Sequence, residues 1–190
     1  MNIILYFGSF NPIHLGHIII ANYIVEYIEN INSVWFIVSP QNPLKKNLLD
    51  YNIRENMVKI SISDFKKMNI SDIESGFYPS YTIETLNRIR KMYPIIKFSI
   101  LLGEDVFSSL RKWKNYQVIL NEYDIFVYPR IGNFPIPVFK QKKKIYLKNA
   151  PIIGISSSFI RNSIKKGKNV KPFLHSKVWN YINKYNIYQK

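Results

Sequence analysis

A chain of 190 residues has enough length to bury a real core in one domain, and its 47% hydrophobic and 15% aromatic content argues against disorder. The absence of cysteine excludes disulfides, thiolate catalysis and Cys-based zinc or iron–sulfur sites. A net charge of +15 would ordinarily point to nucleic acid. Here, however, 21 of the 27 basic residues are lysine, and Ile, Lys, Asn and Tyr, all with AT-rich codons, fill 87 of 190 positions. The charge therefore reads as genome composition, and nucleic acid is not an expected partner.

In chain order, IILYF (3–7) is a nearly continuous apolar run, the pattern of a parallel strand buried on both faces. GSFNPIHLGH (8–17) follows and carries two of the three histidines. A helix is predicted over 18–31 from Ile18, Ala21, Ile24, Val25 and Ile28. VWFIVS (34–39) is the second strand, and PQNPLKKNLLD (40–50) is expected to be a mobile surface loop. A second helix is predicted from Asn52, with Glu55 completing a capping box, and a third carries Ile83, Leu86 and Ile89 on one face, with Thr82 placed to cap it. Next come the strand FSILLG (98–103), a helix over 105–121 with Asp105 at its start, and the strand DIFVYP (124–129). A second mobile loop over 130–143 leads to KIYLK (144–148) and to helices over 157–166 and 176–186. In the last of these Val178, Ile182 and Tyr185 form a stripe beside Trp179.

Strands alternating with helices predict an α/β fold: a doubly wound, Rossmann-like, mostly parallel sheet with helices on both faces, in a single domain over 1–190. No run reaches the roughly 18 apolar residues that span a bilayer, and the first residues lack the marks of a signal peptide. A cytoplasmic protein with no membrane partner is expected. A monomer and a homo-oligomer both remain open.

In such a sheet, ligands bind beyond the carboxyl ends of the strands, which is where 8–17 falls. Gly8 and Ser9 allow close backbone approach, and the N–H groups opening the next helix make an anion site. His14 and His17 add donors beside it, with Gly16 keeping the space open. No Gly-Lys-Ser/Thr follows, and no third ligand has fitting spacing, so no protein-held metal is expected. Ser156 and Ser157, taken alone, are ordinary helix caps.

GSFNPIHLGH resembles the H-x-G-H signature of the nucleotidyltransferase superfamily, and ISSSFIR (155–161) resembles its second, phosphate-holding signature. PSYTIETL (79–86), GEDVFSSLRKWKNY (103–116), SPQNPLKK (39–46) and the closing VWNYINKYNIY resemble stretches of the bacterial nicotinate mononucleotide adenylyltransferase family, so the resemblance runs over essentially the whole chain. The chain departs from that family at Asn11 for Asp, Leu44 for a loop histidine, Glu84 for Asp, and Lys114 for an aromatic.

The resemblance implies transfer of AMP from ATP to nicotinate mononucleotide, with Mg²⁺ carried on the ATP phosphates. It places His14, His17 and Arg161 at the phosphates as the catalytic groups. Gly8, Ser9, Phe10, Gly16 and Lys45 would line the ATP pocket, with Ile155, Ser156 and Ser157 at the β/γ end and Gly103 and Asp105 near the ribose. Thr82, Trp113 and the backbone N–H of Lys114 would take the pyridine ring and its carboxylate. The alternatives are pantetheine-phosphate adenylyltransferase, which shares both end signatures, and a basic nucleic-acid-binding protein that keeps the fold without activity.

Overall fold

The computed structural model describes residues 1–41, 47–135 and 144–189. Leu44, Lys45 and much of the two loops expected to be mobile lie outside the described residues.

The elements run β1 (Asn2–Gly8), α1 (Leu15–Tyr27), β2 (Ser33–Val38), α2 (Tyr51–Ile62), β3 (Met68–Ser71), α3 (Thr82–Met92), β4 (Lys97–Gly103), α4 (Glu104–Ser108), α5 (Tyr116–Glu122), β5 (Asp124–Tyr128), β6 (Lys144–Tyr146), α6 (Ser157–Lys165) and α7 (Ser176–Lys184). The strands form one sheet in the order β3-β2-β1-β4-β5-β6, and every neighbouring pair is parallel.

Alternation along the central strand feeds two cores. Ile4 and Tyr6 point into an apolar layer shared with α1, α2, α6 and α7, while Ile3 and Leu5 point into one shared with α3, α4 and α5. A sheet covered on both faces explains why the strands read as apolar runs rather than alternating ones. The sheet is thus doubly wound, as expected. Its order reverses at the β1/β4 boundary, and in an open α/β sheet such a switch point is where a ligand crevice forms, beyond the carboxyl ends of the strands. Among the described residues no helix is long and apolar enough to cross a membrane.

Several boundaries differ from the sequence-based expectation. The stretch over 105–121 is not one helix: α4 stops at Ser108, a 3₁₀ turn covers Leu110–Lys112, and Asn115 sits at φ 51 before α5 begins. A left-handed residue cannot continue a right-handed helix, and Asn tolerates that conformation. The N-cap of α2 is Asp50, whose carboxylate accepts from the Asn52 N–H at 2.8 Å. Glu55 instead accepts from the Tyr51 hydroxyl at 3.0 Å and pairs with Lys59 at 2.6 Å. Tyr81 rather than Thr82 is the N-cap of α3, and Tyr185 lies exposed just beyond α7.

Candidate active site

The chain leaves β1 through a turn, Ser9 to Pro12, whose carbonyls are held from two other elements. Arg54 of α2, fully buried, donates from Nη1 to Ser9 O at 2.9 Å and to Ser39 O at 2.7 Å, and from Nη2 to Pro40 O at 2.7 Å. From α6, Arg161 Nη1 donates to Asn11 O at 2.7 Å and Ser157 Oγ to Pro12 O at 2.9 Å. The two signatures, far apart in sequence, are therefore joined directly. Phe10 lies beneath Gly8, where a Cβ would come within 2.7 Å of its ring, and meets His17 edge-on at 5.1 Å between ring centroids.

His14 and His17 stack with centroids 3.8 Å apart at the start of α1. His17 Nδ1 accepts the His14 main-chain N–H at 3.2 Å, which leaves the proton of the neutral ring on Nε2. His14 is buried, and burial together with the positive charge of Arg130 pushes its pKa from 6.5 down to about 3. It is a neutral imidazole at pH 7. Its Nδ1 and the Ser9 hydroxyl are both buried without a hydrogen-bond partner. Orphaned polar atoms carry a desolvation cost that a bound anion would relieve. At Gly16 a Cβ would stand 2.9 Å from Ile153 Cγ2 and 3.0 Å from the His14 ring, so glycine permits this packing. Ser156 caps α6 through Phe159 N at 3.1 Å, and Arg161 Nη2 reaches Ser158 Oγ at 3.2 Å, aligning the guanidinium beside the turn.

Across the switch point, a Cβ on Gly103 would displace Asp105 Oδ1 and stand 3.0 Å from Tyr128, so glycine leaves room for the Asp105 carboxylate as it lies. Asp105 Oδ1 lies 3.6 Å from Arg130 Nε and has no hydrogen bond. Burial raises the pKa of both Tyr6 and Tyr128, so both hydroxyls stay protonated. Arg130 escaped the sequence reading, although a cation just past a strand's carboxyl end was a usable signal. Arg54 escaped too, because nothing in its spacing distinguishes a buried guanidinium from a solvated one.

Of the residues expected at the pyridine ring, Thr82 opens α3, and Trp113 follows the 3₁₀ turn, half-buried against the second core. Two departures from the family meet here: Lys114 Nζ pairs with Glu84 at 2.7 Å and lies 4.4 Å over the Tyr81 ring. The hydrogen bond to Glu84 raises the Lys114 pKa. The ammonium is thus already balanced by a carboxylate.

Comparison with known proteins shows the family and the fold. The cytidylyltransferase-like family matches residues 5–163. A curated relative from Flavobacterium johnsoniae, named probable nicotinate-nucleotide adenylyltransferase, is 50% identical over 100% of both chains. A relative of the same name from Flavobacterium psychrophilum is 46% identical with the same coverage. The structure of Plasmodium falciparum nicotinic acid mononucleotide adenylyltransferase complexed with NaAD matches with a TM-score of 0.82 and 26% identity, covering 98% of this chain and 97% of that one. The same protein complexed with APC gives a TM-score of 0.79 over 98% and 96%.

Proposed function

The chain belongs to the cytidylyltransferase-like family and, within it, to the nicotinate-nucleotide adenylyltransferases, and from that premise we propose how its residues carry the reaction. The enzyme joins ATP and nicotinate mononucleotide to give nicotinic acid adenine dinucleotide and pyrophosphate. The observation that carries the site assignment is the direct bonding of Arg161 and Ser157 to the turn that leads into His14 and His17.

A phosphate oxygen of the mononucleotide attacks the α-phosphorus of ATP. The new P–O bond forms as the bond to the α,β-bridging oxygen breaks, and the electron pair leaves on pyrophosphate. No enzyme nucleophile enters, so the protein acts by positioning and by stabilising charge. His17 donates from Nε2 and neutral His14 from its buried ring to phosphate oxygens. Ser156, Ser157, the main-chain N–H groups of α6 and the Arg161 guanidinium hold the β/γ end. Gly8, Ser9, Phe10, Gly16 and Ile155 line this pocket, and Gly103 with Asp105 faces the ribose. Trp113 stacks on the pyridine ring, while Thr82 and the Lys114 N–H address its carboxylate.

Among the described residues no three His, Cys, Asp or Glu side chains converge on a metal position. The crevice offers imidazole, hydroxyl and guanidinium donors, a set that suits phosphate oxygens, so Mg²⁺ would be held by the ATP phosphates. When bound there it neutralises phosphate charge.

The test is incubation with ATP, Mg²⁺ and each candidate acceptor in turn, following pyrophosphate. Release with nicotinate mononucleotide is expected. Release only with phosphopantetheine, or salt-sensitive nucleic-acid binding without turnover, would replace this reading with one of its alternatives.

A further inference from the structure

The turn after β1 holds Phe10 at φ 45. A bulky side chain persists in that left-handed region only where its surroundings over-determine it. Arg54, Arg161 and Ser157 supply three holders. A fourth arrives from the segment after α7: the Tyr188 hydroxyl donates to Asn11 Oδ1 at 2.6 Å, across 177 residues of sequence. Asn11 is itself buried, so its carboxamide oxygen relies on protein donors rather than bulk water. Burial pushes the Tyr188 pKa far above 10, so the hydroxyl is a donor at any working pH. Arg161 and Ser157 have duties at the phosphates, whereas Tyr188 has none.

We propose that Tyr188 is a positioning residue for adenylyl transfer. Its bond to Asn11 fixes the turn and, through the turn, the placement of His14 and His17. Asn11 Oδ1 is the acceptor, a role that the Asp usual at this position in the family could also fill. The inference rests on the adenylyl-transfer reading, and it extends the working site to a residue outside both signatures. Displacements near 1 Å at a reacting centre cost up to about 10²-fold in rate, so one hydrogen bond remote from the chemistry can govern turnover.

Tyr188→Phe keeps the ring and removes the donor. It should lower kcat about tenfold while leaving KM for nicotinate mononucleotide within about twofold, the signature of lost transition-state placement. In the ligand-free protein, amides 9–14 should exchange hydrogen faster while those of α7 do not. Asn11→Asp retains an acceptor and should keep near-normal kcat. Asn11→Leu should reproduce the Tyr188→Phe loss, and the double variant should be no worse than either. A kcat within about twofold of the parent, multiplying losses in the double variant, or loosening of α7 in place of the turn would each overturn the proposal. A parent protein that transfers no adenylyl group would overturn the reaction reading instead. The exchange measurement would still decide whether Tyr188 orders the turn.

Discussion

His14 is a titratable group whose proton affinity is set by its surroundings, and stability should report it. In the unfolded chain it titrates near 6.5 and in the folded one at about 3. Between those values the unfolded state binds more protons, so stability falls as pH drops through that window, by at most about 1.4 kcal/mol per pH unit from this group. The melting temperature should fall between pH 6.5 and 4.5, and His14→Gln should flatten part of that slope. An unchanged slope would mean the ring is not buried as described. The Glu84–Lys114 pair leads to a second expectation. Lys114 brings a cation where the family commonly has an aromatic, and an ammonium could help select the acid over the amide mononucleotide, but it is balanced by Glu84 at 2.7 Å. Acid preference, about tenfold, then falls to main-chain and hydroxyl donors facing the carboxylate. Lys114→Ala should barely change it, whereas Glu84→Gln should increase it at low salt and lose the gain as salt screens the freed charge. Loss of all preference in Lys114→Ala would put selection back on the ammonium.

Among the elements, α2 ties strand exits together through one side chain. Arg54 also donates from Nε to Leu49 O at 2.8 Å, so four carbonyls from three segments depend on a guanidinium with no exposed surface. Arg54→Leu should destabilise by about 3–5 kcal/mol, since each buried carbonyl left unpaired costs about 1–3 kcal/mol. Urea unfolding measures this directly, and a loss under 1 kcal/mol would show that water replaces the side chain. Elements of this kind were only partly legible in sequence. The apolar runs of β1, β2, β4 and β5 announced buried strands because both faces are covered. β3, four residues with only Met68 buried, has too little apolar signal to stand out. The α4–α5 break was hidden because Asn115 carries the turn without glycine or proline. Local motifs singled out His14, His17, Ser157 and Arg161 as candidates, and the structure brings the two stretches that carry them together. Arg54 and Tyr188 acquire their contacts only when distant segments meet, and nothing in their local spacing assigns those contacts.

At the scale of the molecule, the all-parallel sheet gathers the exits of β1, β4 and β5 on one rim, and the nucleotide should act there as a clamp between separate stretches of chain. ATP at one hundred times its dissociation constant stabilises a folded protein by about 2.7 kcal/mol, which for this size raises Tm by about 5–10 °C. A thermal shift with ATP that Arg161→Lys largely abolishes is expected, because an ammonium cannot reproduce a planar two-oxygen grip. An equal shift in both proteins would remove Arg161 from the phosphate site.

The 177-residue span between Asn11 and Tyr188 also has a meaning in time. On the ribosome, the hydroxyl that completes the turn's hydrogen bonding is made 177 residues after the turn it joins. At about 5–20 residues per second, roughly 10–35 s of synthesis separates the two. Through that interval the nascent chain carries its nucleotide-binding signature without the bond that holds it in place. If Tyr188 positions the turn as proposed, competence for the reaction arrives with that residue, well after the histidines themselves.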